Sequence, residues 1–97
     1  MNSARVFHIK VISGPDAGSE FAVTDSCFGG TQESCGVRLS DPALSPLHFR
    51  FTVKGEELTI TDLTPDFDIR VNGKVVKSRK LLEGDTVAVG GTVFEVR

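Results

Sequence analysis

Ser45 and His48 stand three residues apart in Leu44-Ser45-Pro46-Leu47-His48-Phe49, with Asp41 just upstream and Asp62 further along. A hydroxyl, an imidazole and a carboxylate are the groups of a nucleophilic triad. That chemistry needs the base within hydrogen-bond reach of the nucleophile, a third group orienting the base, and an oxyanion hole. Here Ser45 and His48 flank a proline kink at the start of a strand, which sends alternate side chains to opposite faces. His48 therefore reads as a loop brace that bonds backbone groups and fixes the turn, and no catalytic residue is assigned. Cys27 and Cys35 lie eight apart, and with His8 or His48 they fit no common zinc spacing, so no metal site is assigned. Gly90-Gly91 lacks the lysine and the helix of a phosphate-cradling loop and reads as a turn. No cofactor is called for.

The elements that would position these groups are short strands. Period-2 alternation runs through the chain, and no window carries a helical stripe. Phe7, Ile9 and Val11 share one face of a first strand, and Phe21 and Val23 point inward in the second. Val37 and Leu39 follow, then the clearest inward row, Phe49, Phe51 and Val53, and after it Leu58 and Ile60. Gly14-Pro15-Asp16-Ala17-Gly18 and Lys54-Gly55-Glu56 supply turns. Asn72-Gly73 between Val71 and Val75 predicts a type I′ hairpin, and Val87 and Val89 lead through Gly90-Gly91 into a final hairpin arm, Val93 to Val96. Turns at this rhythm predict an all-β sandwich of two mainly antiparallel sheets, one domain over residues 1–97.

Composition narrows the function classes. The chain has 97 residues, 11 basic against 13 acidic, and a net charge of −2, without the clustered basic face that nucleic acid requires. The densest positive run, Lys74, Lys77, Arg79 and Lys80, sits among turn residues as a solvated rim or a minor interaction patch. No apolar run approaches the roughly 20 residues of a membrane helix, and the N-terminus lacks a signal-peptide core. The two cysteines read as reduced thiols, with Cys27 a small buried hydrophobe beside Phe28.

At this point the residues resemble a forkhead-associated (FHA) domain. Gly14-Pro15-x-Ala17-Gly18, Phe28-Gly29, Leu39-Ser40-Asp41-Pro42, Ser45-x-x-His48, Thr61-Asp62-Leu63, Val71-Asn72-Gly73 and Leu82-x-Gly84-Asp85-x-Val87-x-Val89-Gly90 follow the family's order and spacing. The resemblance implies an FHA-like sandwich that presents loops to phosphothreonine peptides. In the family an arginine after the first glycine forks the phosphate, the serine donates a hydrogen bond, and an asparagine after Asp-Leu holds the peptide backbone. Here the arginine position is Gly30, Phe67 falls at the asparagine and Asp68 at a glycine, so only Ser45 survives of the binding groups. A guanidinium supplies charge-assisted bonds worth roughly 1.5–3 kcal/mol each, which glycine cannot replace. Asp66 and Asp68 would add negative charge beside a phosphate of about −1.5 to −2. Gly29, Gly30, Ser45, His48, Phe67 and Asp68 are thus the remnant of a phosphopeptide site.

A narrower resemblance covers Phe28-Gly29-Gly30 through Val37-Arg38-Leu39-Ser40-Asp41 and Leu44-Ser45-Pro46-Leu47-His48-Phe49. The stretch is similar to the degenerate FHA domain of the inner-membrane ring protein of bacterial type III secretion systems, including the proline inside Ser-x-x-His. That resemblance implies a non-enzymatic docking module on the cytoplasmic face of the inner membrane. Its partners would be cytoplasmic components of the export machine and neighbouring ring subunits, with a homo-oligomer in the full assembly. A membrane helix is expected in a segment after Arg97. Docking would use the loop end of residues 30–36, 42–47 and 64–69, or an open sheet edge. Phe67 either tucks into the sandwich end or stands out as an anchor, and Arg38 and Arg50 are either a solvated face or a contact for an acidic partner. The alternative is a working phosphothreonine reader in bacterial signalling, with other basic residues rewired to the phosphate.

Overall fold

A computed structural model describes residues 5–65 and 68–97, and contains strands and turns with no helix among them. Eleven strands follow one another: β1 (Phe7–Ser13), β2 (Glu20–Val23), β3 (Cys27–Gly30), β4 (Val37–Arg38), β5 (Phe49–Lys54), β6 (Glu57–Asp62), β7 (Arg70–Val71), β8 (Lys74–Val75), β9 (Ser78–Leu81), β10 (Thr86–Val89) and β11 (Thr92–Val96). They form a six-stranded sheet in the order β2-β1-β11-β10-β7-β8 and a five-stranded sheet in the order β4-β3-β5-β6-β9. Every pairing is antiparallel except β3 with β4. The predicted all-β sandwich is what forms.

The alternation places the core as expected. Phe7, Ile9, Val11, Phe49, Phe51, Leu58, Ile60, Val87, Val89, Phe94 and Val96 are buried between the sheets. At the centre the rings of Phe49, Phe51 and Phe94 meet with centroids 5.2 to 5.9 Å apart. Two of these contacts are edge-on, the favourable arrangement for aromatic quadrupoles. Phe21, Val53 and Cys27 are only half-buried at the periphery of this core, so Cys27 is less enclosed than its sequence context suggests. Burial pushes both the Cys27 and Cys35 thiols upward, away from the thiolate form.

The hairpin at Asn72-Gly73 has φ of 52° and 87°, as a type I′ turn requires. The basic run departs from its reading as a turn-side rim: Ser78–Leu81 is the edge strand of the five-stranded sheet, paired along β6. Its pattern was hidden because an edge strand needs only one inward apolar residue here, Leu81, and carries charge elsewhere.

The turns are tied to each other by side chains. Asp16 Oδ2 accepts the amide of Ser40 at 2.6 Å, linking the β1–β2 turn to the loop after β4. Asn72 donates to Asp85 at 2.9 Å and accepts the Thr86 amide at 3.0 Å, joining two turns at the opposite edge. Replacing Phe94 with alanine removes the ring shared by both sheets and is expected to cost about 3–5 kcal/mol. Urea denaturation of the variant against the parent chain measures this, and a loss under about 1 kcal/mol would show that the centre repacks.

Candidate functional site

The loop end of the five-stranded sheet gathers the residues singled out in sequence. Gly29 and Gly30 end β3, Ser45 and His48 lie on the loop entering β5, and Asp68 lies on the segment entering β7. His48 is 3% exposed and organises this end. Its Nδ1 accepts the Ser45 backbone N–H at 2.9 Å, so the proton sits on Nε2, which donates to Asp68 Oδ1 at 2.9 Å. The His48 amide donates to the Gly29 carbonyl at 2.9 Å, and its carbonyl accepts the Leu63 N–H at 3.0 Å. One residue therefore ties four segments.

That geometry answers the triad question. Both ring nitrogens are engaged, with no lone pair left to take a proton from the Ser45 hydroxyl, and no hydrogen bond among the described residues involves that hydroxyl. His48, Asp62 and Asp68 do bring ligand-type atoms within 4.8 Å of one another. A cation at Nε2 would have to displace its proton while Nδ1 stays committed to the Ser45 amide. The Asp62 carboxylate is likewise occupied: Oδ1 accepts the Thr64 amide and hydroxyl at 2.8 and 2.7 Å, and Oδ2 accepts the Ile69 amide at 3.4 Å. The cluster is a brace for the β6–β7 loop.

Gly30 is the position at which the family resemblance sets an arginine. A Cβ built there would lie 2.3 Å from the Pro46 carbonyl oxygen and 2.7 Å from that of Ser45. These carbonyls also accept the amides of Gln32 and Thr31 at 3.2 and 3.3 Å, and the Pro46 oxygen takes the Cys35 thiol at 3.4 Å. The β3–β4 loop is thus stitched over the serine loop, and the space beside Gly30 is filled by backbone. Gly29 has its own reason: a Cβ would fall 2.0 Å from the Phe49 ring.

Arg38 and Arg50 are engaged elsewhere. Arg38 donates through Nε to the Thr31 carbonyl at 3.2 Å, and Arg50 lies over the Phe28 ring at 5.8 Å on the outer face of the sheet. Neither makes a contact with Ser45. Asp68 is 43% exposed with its carboxylate turned to His48. Phe67 and Asp66 lie outside the described residues.

Asp41, weighed in sequence as a triad acid and as part of the Leu39-Ser40-Asp41-Pro42 motif, is a structural residue. It is buried, and it accepts the Ala43 amide at 2.9 Å, the Gly91 amide at 2.7 Å and the Thr92 hydroxyl at 2.9 Å. This binds the serine loop to the β10–β11 hairpin of the other sheet. The Asp-Pro pair at a loop start was the available signal, since aspartate caps such turns through its own carboxylate. The Ala43 amide holds the Asp41 carboxyl below the usual carboxylate range; burial opposes it, and the Thr92 hydroxyl and Gly91 amide assist.

Two outcomes follow from this geometry. A carboxyl with a lowered folded-state pKa stabilises above its unfolded value near 3.9 and loses that contribution as pH falls through the folded one. Thermal melts should therefore fall in strongly acidic buffer, and Asp41→Asn should both lower the melting temperature at neutral pH and flatten that acid dependence. Gly30→Ala forces the two loops apart and is expected to cost at least about 1–3 kcal/mol, read by the same melts; an unchanged melting temperature would mean the serine loop yields freely.

Compared with known proteins, residues 10–97 match the family described as the inner membrane component of T3SS, cytoplasmic domain. No curated protein matches the sequence. Among solved structures, the FHA domain of the CT664 protein from Chlamydia trachomatis is 25% identical with a TM-score of 0.83, covering 95% of this chain and 96% of that one. An FHA domain from a structural and functional analysis of phosphothreonine-dependent FHA domain interactions is 22% identical, with a TM-score of 0.86 and 96% of each chain covered. The cytoplasmic domain of the T3SS sorting platform protein PscD from P. aeruginosa is 16% identical with a TM-score of 0.83, covering 95% of this chain and 80% of that one. The fold is that of FHA domains, and the chain belongs to the family of cytoplasmic domains of the type III secretion inner-membrane component.

Proposed function

We propose that this domain is a protein-docking module of the secretion apparatus, with no phosphothreonine-reading and no catalytic activity. The observation that carries this is the backbone of Ser45 and Pro46 lying where an arginine at position 30 would project. A phosphate there would meet carbonyl oxygens in place of a guanidinium, and its charge would go unneutralised beside Asp68. Losing two charge-assisted bonds costs roughly 3–6 kcal/mol, about two to four decades of affinity. A micromolar ligand would leave the working range.

The engaged imidazole supports the non-catalytic reading, since a nucleophile without a free base is weak. Membership of the inner-membrane component family supports partners within the same apparatus, its soluble cytoplasmic components and neighbouring ring subunits. The PscD domain is itself described as a sorting platform protein, which favours assembly as the use of this scaffold.

Titration with a degenerate phosphothreonine peptide library should give no saturable binding in the micromolar range, and a fluorophosphonate probe should leave Ser45 unlabelled. Co-purification from cells that express the secretion system should recover its cytoplasmic components with the domain. Micromolar phosphopeptide binding abolished by Ser45→Ala would overturn the reading.

A further inference from the structure

The outer face of the five-stranded sheet is basic. Side chains that alternate away from the core include Arg38 on β4, Arg50 and Lys54 on β5, and Lys80 on β9, all exposed. Against these four the face carries one carboxylate, Glu57, which already bridges Lys80 at 3.4 Å. The chain as a whole is net −2, so this face is locally basic on an acidic chain. On the other sheet, by contrast, Lys10 faces Glu20 at 4.0 Å and Arg97 is bonded to Glu95 at 2.9 Å.

The middle of the face has a defined pattern. Phe28, Arg50, Thr61 and Ser78 lie side by side across β3, β5, β6 and β9. The Phe28 ring is 41% exposed, unusual for an aromatic on a strand, and the Arg50 guanidinium lies over it. Leu63, 42% exposed, lies just past the end of β6, two residues beyond Thr61. Thr61 and Ser78 share a hydrogen bond at 3.1 Å, and Thr52 and Thr59 pair in the next row. A stacked arginine and aromatic flanked by hydroxyls and an aliphatic is the composition of an interface hot spot.

We infer that this face, centred on Arg50 and Phe28, docks an acidic segment of a protein partner that carries apolar side chains between its carboxylates. The carboxylates pair with Arg50 and Arg38, and the apolar groups rest on Phe28 and Leu63. A guanidinium fixed against a ring takes a carboxylate in a set direction, and the hydroxyl rows add directional bonds, which favours a protein over the diffuse charge of an anionic bilayer. The inference rests on the docking reading above and names its surface and partner chemistry.

The test is isotope-edited NMR of the chain with a short synthetic peptide alternating glutamate with leucine and phenylalanine. A lysine counterpart of that peptide and phosphatidylcholine–phosphatidylglycerol vesicles serve as comparison ligands. Amide shifts at Phe28, Arg38, Arg50 and Thr61, with affinity reduced about tenfold by Arg50→Glu and also reduced by Arg38→Glu, support the inference. Lys10→Glu, on the other sheet, should leave binding unchanged. It is overturned by shifts confined to the Ser45–Asp68 loop end, by equal binding of the lysine peptide, by vesicle binding without peptide binding, or by wild-type affinity in both arginine variants. If secretion components still co-purify with a folded Arg50→Glu chain, this surface is wrong and docking stands. If they fail to co-purify with the wild-type chain, the docking reading itself falls.

Discussion

The loop end of this domain hangs on one buried imidazole. His48 sits in a region with little water, where an unbonded ring nitrogen would cost on the order of 1–3 kcal/mol, and it satisfies both nitrogens with fixed partners. Its backbone joins Gly29 on one side and Leu63 on the other. The serine loop, the end of β3, the β6–β7 loop and the approach to β7 therefore share a single anchor. Asp41 does the equivalent work between the two sheets, where one carboxylate gathers three donors from two loops.

The motif residues divide by what they touch. Asp16, Asp41, His48, Asp62, Asn72 and Asp85 each bond a backbone amide in a turn or loop. All but Asp16 are among the residues that carry the FHA resemblance, and they hold the scaffold whether or not a ligand is present. Of the positions at which the resemblance expects ligand contacts, all but Ser45 depart from the pattern, Gly30 above all. An FHA-shaped structure thus says nothing by itself about phosphopeptide binding.

Much of the fold was legible because its strands are half-buried, and half-burial writes a period of two. Phe49-x-Phe51 and Val87-x-Val89 announce their faces without any tertiary knowledge. Ser78–Leu81 did not, since an edge strand bonded on one side can be polar along most of its length. At the candidate site the glycine at position 30 was readable, and what fills the space beside it was not. The contact between Gly30 and the Ser45–Pro46 backbone joins residues fifteen apart through a loop crossing, which no local pattern encodes. Arg38 and Arg50 were already paired in sequence as a possible face, but that Lys54 and Lys80 share it follows only from strand order.

The packed carbonyls beside Gly30 bear on how such a domain can change over time. A side chain at position 30 has nowhere to go until residues 45 and 46 shift, and shifting them strips Thr31, Gln32 and Cys35 of their acceptors. Substitutions in the two loops are therefore coupled. The two loops at this end of the sandwich can change only together, whereas a solvated side chain on a sheet face can change alone.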